Sequence, residues 1–224
     1  MSVYMTEEEQ LEALKKWWNK YSNPIVITIS IILLAIAGYK YWAWHQEKTT
    51  ALASSAYEQL MVSFSQQDEP NIQAHANQLI KQYNGTIYAD VARLILAKQS
   101  ITNGNLKQAE EQLRSVASKS PMASMQQVAK IRLARILISQ KQYVKAQNEL
   151  KHVADASYKP MINELRGDIY AATGKYNLAI AAYRKAIDAN ISQGLGNTFL
   201  EMKSNELAAM TQSLNTEPQA IQTA

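Results

Sequence analysis

The sequence of 224 residues contains no cysteine. That absence excludes disulfides, thiolate metal sites, a cysteine nucleophile and an acylated N-terminal cysteine together, so any folded part must be held by packing alone. Histidine is nearly absent too: His45, His75 and His152 are scattered, without the i, i+4 spacing beside a carboxylate that a metal site shows. Neither metal nor other cofactor is expected. Paired carboxylates such as Glu110 and Glu111 sit on a polar helix face with no burial to raise a pKa. With no set of nucleophile, base and orienting group, the chain reads as something other than an enzyme. Gly194-Leu195-Gly196 looks faintly like a phosphate loop, but it follows a helical pattern rather than a strand and lacks a third glycine or a Lys-Ser/Thr pair; it reads as a turn. Acidic residues are missing from a long stretch: none lies between Glu111 and Glu149, where Arg114, Lys119, Lys130, Arg132, Arg135, Lys141 and Lys145 all occur. That stretch reads either as a solvated basic surface or as a patch for an acidic partner or anionic headgroups. A nucleic-acid footprint would need a denser basic patch and a recognisable motif, so no nucleic-acid partner is expected.

Charge is also missing from Tyr21 to Tyr39 (YSNPIVITISIILLAIAGY), which is nearly unbroken in apolar residues from Ile25 to Ala37. At about 1.5 Å per residue this stretch covers about 28 Å, close to the roughly 30 Å hydrocarbon core of a bilayer. Trp17, Trp18 and Tyr21 precede the run, and Tyr39, Tyr41, Trp42 and Trp44 follow it, as interfacial aromatic belts do. Lys40 lies at the end of the span, where its stem can reach the headgroups. Ala35-Ile36-Ala37 before Gly38 has the pattern of a signal-peptidase site, so a cleaved signal is the rival reading. The polar leader with Glu7, Glu8, Glu9 and Glu12, and a belt beyond the cut, favour an uncleaved anchor in contact with membrane lipid. Lys15, Lys16 and Lys20 before the span, against Lys40 and Lys48 at or after its end, place the N-terminus in the cytoplasm and the bulk across the membrane. The expected organisation is a cytoplasmic leader (1–20), an anchor (21–44), an exported helical domain (45–213) and a disordered tail (214–224). The formal net charge of +4 belongs to the exported part, because residues 1–40 carry four Lys and four Glu.

After Trp44 every segment is helical in period, with no alternating strand pattern, and the class is all-α. Breaks fall at Asp68-Glu69-Pro70, Asn84-Gly85, Asn103-Gly104-Asn105, Ser120-Pro121, Lys141-Gln142, Pro160 and Thr173-Gly174, leaving helices joined by short turns, as in antiparallel hairpins. Three turn-centred segments align without gaps: Gly104 to Ala109, Lys141 to Ala146 and Gly174 to Ala179. Each is followed by an apolar pair (Leu113 and Val116, Leu150 and Val153, Tyr183 and Ala186). Each is preceded, nine residues before Leu106, Tyr143 or Tyr176, by a small residue (Ala97, Ala134, Gly167). The thirty-seven- and thirty-three-residue spacings of Leu106, Tyr143 and Tyr176 lie in the range of helix-hairpin solenoids. Residues 51–83 form a degenerate first hairpin, and Thr198 to Leu214 reads as a terminal helix.

The last copy, with Gly167, Tyr170, Gly174, Tyr176, Ala179, Tyr183 and Ala186, resembles the tetratricopeptide repeat. It departs from that family where Ile191 stands at the terminal proline position and Arg166 beside the glycine. In this register Gly167 and Ala179 are small so that helices can approach, while Tyr176 and Tyr183 fill the space between neighbouring hairpins. The concave face would be lined by Leu94, Lys98 and Ile101, by Ile131, Arg135 and Ile138, and by Glu164, Asp168 and Ala171. Leu96, Leu133, Leu137 and Tyr170 supply the contacts between helices, leaving Leu94, Ile131 and Ile138 partly exposed as a partner-binding groove. Leader, anchor, LRGDIYAATGKYNLAIAAYRKAI (Leu165 to Ile187) and FLEMKSNELA (Phe199 to Ala208) together resemble the ancillary subunit family of the SecYEG translocon, an inner-membrane family of Gram-negative bacteria. The resemblance implies a non-catalytic periplasmic interaction domain beside the translocon, working with a membrane-anchored prolyl-isomerase-type chaperone on newly exported proteins. A scaffold of another envelope machine, for outer-membrane assembly or cell division, is the alternative.

Overall fold

The computed structural model describes residues 7–192 and 197–220. Among the described residues all regular structure is helical: α1 (Glu7–Ser65), α2 (Glu69–Gln82), α3 (Ile87–Thr102), α4 (Leu106–Lys119), α5 (Ala123–Ser139), α6 (Tyr143–Lys151), α7 (Lys159–Ala172), α8 (Tyr176–Ser192) and α9 (Thr198–Ala220), with a 3₁₀ turn at Ala156–Tyr158. The all-α expectation and the helix hairpins are therefore observed. The chain divides into two compact units, residues 1–52 and 53–224.

In the first unit, leader and anchor are one helix rather than two segments, since α1 continues through Pro24. Thr28 and Ser30 donate their hydroxyls to the carbonyls of Pro24 and Val26 at 2.8 Å, so neither presents an unsatisfied polar group on the apolar surface. The helix is long and apolar enough to cross a membrane, and none of its most apolar window is buried within the protein. At either end of the uncharged stretch the rings gather: Trp17 stands 5.7 Å from Tyr21, and Tyr39 stands 6.3 Å from Trp42. Lys20 and Lys48 lie over the rings of Tyr21 and Trp44.

The second unit is built from one recurring turn. Gly104 and Gly174 have φ of 75° and 73°, and the aligned Lys141 takes the same left-handed conformation at 61°. In each case the next residue donates its backbone N–H five residues back: Asn105 to Ser100, Gln142 to Leu137, and Lys175 to Tyr170, at 2.8 to 2.9 Å. This bond closes the end of a helix and reverses the chain. The degenerate first hairpin makes the same turn at Gln67 (φ 57°), with Asp68 donating to Ser63. Asp68, Thr86 and Asn105 then start α2, α3 and α4 by accepting the backbone N–H of Asn71, Ala89 and Gln108.

Consecutive helices pack in series from α2 to α6 and from α7 to α9, and α7 also lies on α5. The central core gathers Leu113, Val116, Leu133, Leu137, Leu150, Leu165 and Ile169. A second cluster joins Ala53 and Leu60 of α1 to Ile72, Ala76, Leu79 and Leu96, and a third joins Ala179, Tyr183, Ala186 and Leu200. Between α6 and α7 the chain is held by α5, whose Gln127 accepts the N–H of Asp155 and whose Lys130 donates to the carbonyl of His152. A buried pair, Asp90 and Arg93, ties α3 to the turn before it, because Arg93 also donates to Asn84 at 2.8 Å.

Two expectations are extended. Tyr183 packs with Leu200 of α9, as a residue between neighbouring hairpins does, and its ring also fills the place where a Cβ on Gly167 would stand, inside the α7–α8 hairpin itself. The terminal helix α9, expected to end at Leu214, continues to Ala220, while residues 221–224 lie outside the described ones. A left-handed lysine is strained where glycine is not. Lys141→Gly should therefore stabilise the domain by roughly 0.5–1 kcal/mol, read as a higher melting temperature; an unchanged or lower one would count against this turn geometry.

Candidate functional site

The last three turns of α3 carry the candidate site. Leu94, Lys98 and Ile101 share one face at i, i+4, i+7 spacing, and the structure brings all three into one cleft of about 400 Å³ with Ala97, Thr102, Leu113 and Arg132. Lys98 and Thr102 also line a neighbouring cleft of about 540 Å³ with Phe64, Gln67, Glu69, Ile72, Ile95 and Gln99. Lys98 joins the two, its ammonium held 5.6 Å over the Phe64 ring, a contact that favours the cation and orients its stem.

The other predicted groove residues divide. From α5, Arg132 lines the cleft; Arg135 is exposed beside it in sequence but does not. Ile138 and Leu94 are half-buried and lean on the central core. Ile131 is a correction: at 3% exposure it is core, packed in the same cluster as Ile162, Leu165 and Ile169, because α7 lies on α5 and covers it. On α7, Glu164 and Ala171 are half-buried. Asp168, half-buried, is engaged within the fold: its Oδ1 accepts from the Tyr183 hydroxyl and from Lys203 Nζ, both at 2.8 Å. Through that one oxygen it ties α8 and α9 to α7. Burial and then the bond to Asp168 push the Tyr183 hydroxyl far above its ordinary pKa, so the phenol stays protonated and donating.

Sequence reasoning missed Arg132, Phe64 and Ile95. Arg132 lay within the acid-free stretch already noted; Phe64 read only as one more apolar residue recurring in helical phase with Leu60, and Ile95 carried no signal beyond lying next to Leu96.

Electrostatically the first cleft is one-signed: Lys98 and Arg132 line it, with no carboxylate among its lining residues. Two other cations of the acid-free stretch are satisfied internally. Arg114 pairs with Glu110 at 2.8 Å and with Glu149 at 3.4 Å, and Lys130 is bound to the His152 carbonyl. Apolar walls (Leu94, Ile101) beneath two cations that make no ion pair among the described residues can hold a segment that is itself apolar and acidic, each wall lowering the dielectric around the charges. No group of three or more potential metal ligands gathers among the described residues, and Gly194-Leu195-Gly196 lies outside them.

Stacked two-helix hairpins, repeating one left-handed turn and closing on small residues, define a tetratricopeptide-like α-solenoid, and the profile of the tetratricopeptide repeat-like domain matches residues 15–209. The chain belongs to the family of ancillary SecYEG translocon subunits, as its relatives show. It is 33% identical over 83% of its length to the ancillary SecYEG translocon subunit of Aggregatibacter actinomycetemcomitans, covering 91% of that protein. It is 25% identical over 93% of its length to that of Escherichia coli, and 28% identical over 92% to that of Haemophilus influenzae, covering both in full. No solved structure matches the chain.

Asp168→Ala leaves Tyr183 and Lys203 without their shared acceptor, which should cost about 1–3 kcal/mol in thermal unfolding; a variant as stable as the parent would count against Asp168 as the tie between α7, α8 and α9.

Proposed function

We propose that this protein is a non-catalytic, membrane-anchored interaction module associated with the Sec translocon. The observation that carries this reading is the similarity over 83–93% of the chain to proteins named as ancillary subunits of SecYEG. The apolar stretch of α1, flanked by aromatic rings at both ends, supports a single uncleaved span. The lysine bias supports a cytoplasmic N-terminus (1–20), an anchor (21–44) and a helical domain from residue 45 in the periplasm. The two joined clefts around Lys98 support binding of an apolar, acidic segment by that domain. Partnership with a membrane-anchored prolyl-isomerase-type chaperone, and through it with newly exported chains, is part of the proposal and rests on the family resemblance alone.

Two measurements test it. A reporter active only outside the cytoplasm, fused after Ala53, should be active, and a mature protein beginning at Gly38 would overturn the anchor. The double variant Lys98→Glu with Arg132→Glu reverses the sign of the cleft without touching core residues. In mild detergent the parent should co-purify with SecYEG, and the variant should retain membrane insertion and melting temperature while its partner capture falls at least about tenfold, the effect of placing like charges across an interface. Undiminished capture would remove the cleft from the binding surface, and a parent that does not co-purify with SecYEG would overturn the association itself.

A further inference from the structure

Helix α9 has two faces, and only one is used. Leu200, Ser204, Leu207 and Thr211 recur at four, three and four residues and turn toward the body. Leu200 and Ser204 are buried, Leu207 packs against the third core cluster with α8, and Lys203 beside them is bound to Asp168. On the other side Phe199, Met202, Glu206, Ala209 and Met210 follow the same kind of spacing, the repeat at which one helix seats against another. All five are exposed, Phe199 at 59% and Met202 at 63%.

This is not how the outward face of a helix at the margin of a solenoid is composed, for such faces are polar. The position of α9 explains the difference. It follows α8 as α3 follows α2 and α5 follows α4, so it stands where the first helix of a hairpin stands, while no described helix covers its outer stripe. Phe199 is also held in place: Lys203 Nζ lies 4.8 Å from its ring centroid and 5.6 Å from that of Tyr183. A ring ordered before binding loses less entropy on contact, and the two methionines offer an adaptable apolar surface beside it.

Charge selects the occupant. Glu206 lies in the middle of the stripe, while the lysine of this helix is committed to Asp168. Arg184 of α8 stands on the opposite flank of α9, beside Ala208 and Thr211. A second copy packed through this face would meet its own surface across a two-fold axis, bringing glutamates together in an apolar setting. A partner helix with Lys or Arg opposite Glu206 turns the same carboxylate into an attractive pair.

We propose that the outer face of α9 is a docking site for an amphipathic helix of another protein, apolar at heptad spacing and carrying a basic residue against Glu206, which takes the place of a hairpin partner. The site is separate from the clefts around Lys98, and its failure leaves the Sec-associated reading standing. The test uses the full chain in lipid nanodiscs and two labelled helical peptides of about three heptads, identical except for Lys or Glu at the central seam position. By fluorescence anisotropy the Lys peptide should bind at least about tenfold more tightly, and Glu206→Lys should reverse the order, the Glu peptide then binding better. Met202→Glu should weaken both. Equal affinities, or an order unaffected by Glu206→Lys, would overturn the proposal. So would self-association of the parent chain that Met202→Glu abolishes, since the occupant would then be a second copy.

Discussion

The fold depends on how closely two helices of a hairpin can approach. Six small residues occupy equivalent places, Ala97, Ala134 and Gly167 on the first helices and Ala109, Ala146 and Ala179 on the second, and all six are buried. With no disulfide to supply a link, close packing is the stabilising term that the chain can adjust, and interiors respond to a change of even one methylene. The α7–α8 hairpin carries the demand furthest, because the Tyr183 ring occupies the space of the absent Gly167 side chain. From that contact the Tyr183 hydroxyl reaches Asp168, Asp168 receives Lys203, and α9 is held to the stack. One missing Cβ thus leads, through a ring and an ion pair, to the placement of the helix whose outer face remains open.

The turn that joins the hairpins shows why repeats of this kind were visible in the sequence. Gly104 and Gly174 announce a left-handed residue, and Lys141 aligned with them because the flanking residues did. Gln67 makes the same turn thirty-seven residues before Gly104, yet it has neither glycine nor a matching flank, so the first hairpin looked degenerate. Its backbone is regular; only its sequence is not. Lys141 and Gln67 adopt a conformation disfavoured for residues with a Cβ, which packing on either side of the turn offsets.

The groove was legible to the extent that it depended on one helix. Leu94, Lys98 and Ile101 share a face of α3 by spacing alone, and the structure brings them together. What a single helix cannot encode is its rotation against its neighbour. Arg132 and Arg135 are separated by less than one turn, and which of them enters the cleft is set by how α5 sits on α3. Ile131 met the pattern of a groove residue and became core because α7 comes down on it. Asp168 met the same pattern and is engaged within the fold by Lys203, thirty-five residues away. Long-range partners of this sort leave no local periodicity to read.

Function follows from placing a one-signed cleft and an open helix face on a domain continuous in sequence with an apolar span. The account is tested most directly by photo-crosslinking in intact membranes from a photoreactive residue at Ile101, which borders the Lys98 and Arg132 cleft, compared with one at Val144, which is 83% exposed on α6 and lines neither Lys98 cleft. The account predicts adducts with a translocon component, or with a protein bound beside it, from position 101 and not from position 144. Adducts from Val144 alone, or none to any Sec-associated protein from either position, would contradict it.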